Sequence, residues 1–304
     1  MNYKISILAF LWLASIASAA QQDTLRVFKG RPTQEFEISG QKYKYPKPRF
    51  YTPFALLPRT YQAFGKEVFR KESLKAIGAT AAASALLIVF DQEITDGMQQ
   101  FSRYIGLDNR NMSKSLIKFK IGSQDFNVYD APQNLNTAIY SIGEGLPPLL
   151  IAAGLAVHGA VKKNYRSYST AGQIVQAITA FGITSQLLKR SFGRETHRSA
   201  TQPGGAWRPF PNWGVYQKNV PSYDAMPSGH LGTMMAATVV LADNYPEKKY
   251  IKPVGYALTG LVGLSMINNG VHWAGDYPLA LGLGYVFGKV TVKMNRFLNE
   301  NGKK

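Results

Sequence analysis

The chain has 304 residues, with 35 Lys and Arg against 18 Asp and Glu, a formal charge of +17 and no cysteine. The missing thiols exclude a disulfide framework and cysteine-held zinc or iron–sulfur sites. The cationic excess points to an anionic partner, and with apolar segments present and no zinc-finger spacing or aromatic RNA-binding motif, that partner is lipid or phosphorylated substrate, not nucleic acid.

Residues 1–20 combine Lys4, an apolar run over 5–16 and the triplet Ala17-Ser18-Ala19, the pattern of a cleaved secretory signal, with an uncleaved anchor as the alternative. Residues 21–70 read as an extended periplasmic arm, punctuated by Pro46, Pro48, Pro53 and Pro58. From residue 71 to 298 the character is helical, with apolar segments at 76–90, 138–161, 171–188, 231–242, 251–267 and 277–292, and 299–304 is a short basic tail. This predicts an all-α, six-helix bundle with an irregular N-terminal arm. Several segments are short for a hydrocarbon core of ~30 Å, so a membrane-embedded bundle and a soluble one both remain open. The mixed stretch 91–136, with Phe101, Tyr104, Ile105 and Leu107 near basic residues, reads as surface amphipathic helices or a solvated loop.

Three groups of residues carry chemistry. Pro227-Ser228-Gly229-His230 opens the fourth apolar helix, where unpaired backbone N–H groups and the helix dipole favour an anion. His272 and Asp276 stand four residues apart between the fifth and sixth helices, a spacing that lets a carboxylate fix the imidazole tautomer and leave the other nitrogen free as nucleophile or base. Lys189, Arg190 and Arg194 crowd the end of the third helix, followed by Arg198 and Arg208, and arginine forks match phosphate oxygens. In an up-and-down bundle these three groups share one end.

The residues resemble the type 2 phosphatidic acid phosphatase (PAP2) superfamily, whose motifs run K-x6-R-P, P-S-G-H and S-R-x5-H-x3-D. Lys189 begins the first, 227–230 complete the second, and Ser265, His272 and Asp276 keep the spacing of the third. The resemblance implies a membrane-embedded phosphatase working through a phosphohistidine on His272. It implies that Asp276 orients His272, that His230 serves as acid and then base, and that Lys189, Ser228, Gly229 and an arginine hold the phosphoryl oxygens. No cofactor or metal is called for. Two family arginines are out of register: Thr196 and His197 stand where Arg-Pro is expected, and Met266 replaces the arginine of the third motif. Arg194 and Arg198 flank the first gap and are expected to supply one guanidinium.

The implied substrate is a lipid phosphate or pyrophosphate, of the phosphatidic acid, phosphatidylglycerol phosphate, undecaprenyl pyrophosphate or lipid A type. A nonspecific acid phosphatase of soluble type and a catalytically silent lipid-binding protein are the alternatives, and Met266 favours the latter. Lys162, Lys163, Arg166, Lys248, Lys249 and Lys252 lie in loops away from the site, so the positive-inside rule puts the site in the periplasm of a bacterial envelope. A cleaved signal conflicts with six spans in that orientation, and the shortness of 76–90 marks it as the segment that packs without crossing. Trp207, Trp213 and Trp273 are expected in an interfacial aromatic belt, and His158 and His197 in no catalytic role.

Overall fold

The computed structural model describes residues 28–121 and 124–298. The expected signal segment and the basic tail lie outside the described residues.

The described part of the arm, from residue 28, forms a hairpin and short helices. Strands β1 (Thr33–Ile38) and β2 (Gln41–Pro46) pair antiparallel, with Phe36 and Ile38 alternating with Glu35 and Glu37. Ser39 and Gly40 both have positive φ, at 52° and 75°, as a two-residue turn matched to strand twist requires. Two short helices follow, α1 (Thr52–Ala55) and α2 (Leu57–Val68). The arm and the helical domain therefore share one core.

Among the described residues there are eleven α-helices, not six; the six predicted apolar segments fall on seven of them, which make six traverses of the bundle. They are α3 (Lys71–Val89), the bent pair α5 (Leu135–Ile142) and α6 (Leu146–Val161), then α7 (Tyr165–Phe192), α9 (Gly229–Asn244), α10 (Ile251–Asn268) and α11 (Tyr277–Asn295). The second traverse bends by 50° at Gly143–Gly145, ahead of Pro147 and Pro148, which cannot continue a helical ladder inward. The stretch between the first two traverses holds the amphipathic α4 (Asp91–Tyr104) and a hairpin of β3 (Ser113–Ile121) and β4 (Gln124–Pro132). That hairpin was not expected, although Lys118 and Lys120 alternate with Phe119 and Ile121 at strand period. Between α7 and α9 lies a loop with the one-and-a-half-turn α8 (Trp213–Lys218).

The core sits around α7, where Ile174 and Ala177 pack with Ala236 and Val240 of α9 and Val292 of α11. Helices α9 and α11 touch backbone to backbone, since a Cβ at Gly284 would stand 2.3 Å from the Gly232 carbonyl oxygen. Phe64 of α2 stacks on Phe287 of α11 at 4.3 Å, and Gln176 of α7 donates to Thr60 at 2.8 Å. Removing a buried aromatic of this kind costs about 3–5 kcal/mol.

The hairpin caps one end of the bundle. Tyr45 donates to Asn244 Oδ1 at 2.8 Å, Gln34 bridges the Lys163 carbonyl and the Tyr165 amide, and β2 pairs with β5 (Phe297–Leu298). All three groups of candidate catalytic residues lie at the opposite end.

Helix α3 runs the full way from Arg70 to the site end, and among the described residues it is the one helix long and apolar enough to cross a membrane. The helix begins at Lys71, about a turn before the apolar segment at 76–90. The bent α5–α6 pair meets the same criterion when taken together.

Candidate active site

Lys189 arrives in the last turn of α7, 5% exposed, and its Nζ donates to Asp224 Oδ2 at 2.8 Å. The other oxygen of Asp224 accepts from Tyr216 Oη, also at 2.8 Å. The helix stops at Gly193 with φ 57°, a left-handed cap. A side chain there would meet the Arg208 carbonyl at 1.8 Å, so the loop folds back over the helix end only because this residue is glycine.

Helix α9 starts as the anion turn requires. Ser228 is its N-cap, its Oγ accepting from the Leu231 amide at 3.5 Å while its own N–H donates to the Asp276 carbonyl at 3.2 Å. Gly229 keeps the first turn open toward Lys189, whose Nζ would lie 3.8 Å from a Cβ at that position.

His230 and His272 face each other with ring centroids 6.1 Å apart. The ring of Tyr140, from α5, packs on His230 at 4.8 Å. Behind His272, its Nδ1 lies 3.4 Å from Asp276 Oδ2, and that oxygen also accepts from the Trp273 amide at 2.8 Å. Both His272 and Asp276 are buried.

Arg194 does not reach toward the phosphate position. It is fully buried, with Nη1 donating to Asp276 Oδ1 at 2.8 Å and Nη2 to Asp91 Oδ2 at 2.6 Å and to the Gly204 carbonyl. Its guanidinium lies between the faces of Trp207 and Trp273. The expectation that it supplies a phosphate contact is corrected on this geometry: its fork is spent on two carboxylates. Burial pushes the Asp276 carboxyl up, but His272, Arg194 and the Trp273 amide together hold it below the usual carboxylate range. At Asp91 burial wins, and its carboxyl stands above that range despite Arg194 and the Gly275 amide.

Arg198 is the available guanidinium. Residues 197–199 form a 3-10 turn whose Arg198 amide donates to the Gly270 carbonyl, and Nε donates to the Asn269 carbonyl at 2.6 Å. That anchor leaves Nη1 and Nη2 with no hydrogen bond among the described residues. Thr196, at the family arginine position, is buried with its hydroxyl unpartnered.

Met266 is fully buried, and the Ser228 hydroxyl donates to its sulfur at 3.9 Å. Ser265, the first residue of the third motif, ties α10 to α5 by donating to the Asn136 carbonyl at 2.7 Å. His197 meets the edge of Trp273 at 5.0 Å and His158 lies 3.0 Å from Ser167 Oγ at the far end, so neither joins the facing histidine pair. Trp273 is not in a belt: it is fully buried and its indole N–H donates to the Glu195 carbonyl at 2.8 Å, whereas Trp207 and Trp213 are exposed.

Sequence reasoning missed Asp91, Asp224 and Glu195. Asp91 follows the first traverse directly, and the Gly275 amide donates to it at 2.8 Å from 184 positions away, which no local pattern signals. Glu195 is buried and accepts from Arg208, the Thr201 amide and the Ala206 amide, thereby fixing the loop that carries Arg194. Burial pushes its carboxyl up, and these donors outweigh that and hold it below the usual range.

No curated protein matches the chain. A crystal structure described as the first transmembrane PAP2 type phosphatidylglycerolphosphate phosphatase, from Bacillus subtilis, is similar over 80% of this chain and 94% of its own, at 16% identity and a TM-score of 0.37. Residues 170–300 match the family model of the PAP2 superfamily, and this stretch holds Lys189, the 227–230 turn and the His272–Asp276 pair.

Proposed function

We propose that the chain is a phosphatase that hydrolyses a lipid phosphate or pyrophosphate through a phosphohistidine on His272. The observation that carries this reading is the pair His230 and His272, with Asp276 behind His272 and the Ser228–Gly229 turn and Lys189 beside His230. Asp276 occupies the Nδ1 side of His272, so Nε2 attacks phosphorus while the bond to the leaving oxygen breaks and His230 gives that oxygen its proton. Water then loses a proton to His230 and attacks phosphorus, the P–N bond breaks, and inorganic phosphate leaves. Lys189, Arg198, Ser228 and the Gly229 amide hold the nonbridging oxygens as charge builds on them. Arg194 acts on Asp276.

A lipid substrate is supported by the exposed apolar faces of α3 and α6, among them Leu86, Val89, Leu150 and Val157. We place the chain in a bacterial membrane with the site facing the periplasm, on the basic loops at the hairpin end. Gln34 binds the Lys163 carbonyl, so in this orientation the hairpin lies on the cytoplasmic side, which conflicts with the expected periplasmic arm and cleaved signal and favours the uncleaved anchor. The chain lacks cysteine, so single cysteines at Lys163 and Ser199 report sidedness directly with an impermeant maleimide. Labelling of Lys163→Cys alone from outside intact cells would reverse the assignment.

The activity test is phosphate release by detergent-solubilised protein from lipid and soluble phosphates, with His272→Ala alongside. Release that the mutant abolishes supports the histidine mechanism, and preference among substrates separates the lipid phosphatase from the nonspecific acid phosphatase. No release by folded wild-type protein would favour the silent lipid-binding reading, which the burial of Met266 against Ser228 already supports.

A further inference from the structure

A groove of about 1320 Å³ lies on the flank of the bundle between α2, α3 and α11. Ligand pockets for small molecules span roughly 300–1,000 Å³, so this one admits something larger. Its floor is apolar, formed by Phe64, Ile77, Leu279, Leu283, Val286 and Val290. The end beside the hairpin is ringed by Lys44, Arg70, Lys289, Lys293 and Arg296, five cations against the carboxylates Glu67 and Asp243.

The groove is therefore polarised along its length. Leu279 and Lys293 belong to one helix, and at 1.5 Å per residue they stand about 21 Å apart along its axis. Lys289 pairs with Asp243 at 2.8 Å and Arg70 with Glu67 at 3.2 Å, whereas Lys293 is exposed and has no ion-pair partner among the described residues. The wall made by α3 is almost wholly exposed along its apolar window, so the groove opens sideways onto the surface a bilayer would cover.

We propose that this groove binds an anionic membrane phospholipid, with its acyl chains along the floor and its phosphate at the Lys289, Lys293 and Arg296 rim. A cationic mouth over a long apolar floor complements a molecule with an anionic head and an apolar tail. The lipid is not the substrate. Tyr277, against His272, and Lys293 are separated by about 24 Å along α11, so a phosphate at the rim lies most of a hydrocarbon thickness from the nucleophile. It is a resident lipid of the opposite leaflet.

The test is native mass spectrometry of the full chain, extracted in mild detergent and titrated with dioleoyl phosphatidylglycerol or dioleoyl phosphatidylcholine. Wild type is expected to retain one phosphatidylglycerol at least tenfold more strongly than phosphatidylcholine. Lys293→Glu, a change at an exposed position, is expected to remove that preference, and Gly282→Leu, which fills the floor, to reduce retention of both. Equal retention of the two lipids, no retention by wild type, or an unchanged preference in Lys293→Glu would each overturn the proposal. His272→Ala is expected to bind lipid as wild type does, so the groove is judged independently of phosphatase activity.

Discussion

Arg194 holds Asp276 through a 2.8 Å hydrogen bond inside the protein, with neither side chain exposed to solvent. An arginine two positions from the first-motif gap thus supports the carboxylate beside His272, the proposed nucleophile. Its second arm holds Asp91, so one guanidinium joins the start of α4 to the turn before α11.

Replacing Arg194 by Met leaves two buried carboxylates without their cation. A cost of about 3–5 kcal/mol is expected, read as a lower urea midpoint, since breaking a buried pair strands a charge. Arg194→Lys should recover only part of this, because a single ammonium cannot match both carboxylates with a planar fork. A midpoint unchanged in Arg194→Met would mean that the carboxylates find other donors.

Asp91 and Asp276 differ in their response to acid. The Asp276 carboxyl is held below its usual range, so its contribution is complete above the unfolded aspartate value and is lost as pH falls through the folded one. Asp91 is shifted the other way, so protonation is easier in the folded state and its contribution grows more favourable as pH falls. The stability gap between wild type and Asp276→Asn should therefore narrow under acid, and that between wild type and Asp91→Asn should not. Asp276→Asn should also lower kcat by up to about 10⁴-fold, as loss of the orienting aspartate does in hydrolase triads.

Asp224 stands against the arriving phosphate. Its carboxylate binds the Lys189 ammonium at 2.8 Å and is itself steadied by Tyr216, so an anion competes with it for the lysine. Asp224→Asn is expected to strengthen competitive inhibition by inorganic phosphate on the order of 10-fold, equal to about 1.4 kcal/mol. Weaker inhibition in the variant would show that Asp224 aims the lysine more than it neutralises it.

Met266→Arg returns an arginine to the third motif at a fully buried position beside Ser228. In the absence of ligand the new charge should destabilise the chain by several kcal/mol. Inorganic phosphate or vanadate should then raise the melting temperature of the variant more than that of wild type. Equal shifts would place residue 266 outside the phosphate pocket.

The six traverses were legible because each apolar run, short or long, is bounded by polar turns, and the 227–230 turn because a helix start constrains its residues strongly. The same logic misplaced Arg194. Its charge and position near the first-motif gap were visible, but its partners Asp91 and Asp276 lie 103 and 82 positions away in sequence, and only the fold reveals that they claim it. The arm was obscured by its prolines, which mask the alternation of Phe36 and Ile38 with glutamates. Helix α3 begins about a turn before its apolar segment, at Lys71, Glu72 and Lys75, whose charges hide the helix start from hydropathy.

The hairpin cap has a consequence for how the chain is made. Strand β2 is synthesised early, yet one of its two edges stays bare until β5 arrives more than 250 positions later. Helix α11 comes just before β5, and it must seat against α7 and α9 to close the core they share. Because Asp276 immediately precedes α11, the carboxylate beside the proposed nucleophile His272 is positioned together with the helix that completes the core. A ribosome-bound chain stalled before α11 would thus hold α7 and α9 with their shared core open, and its exposed apolar faces are natural clients for chaperones.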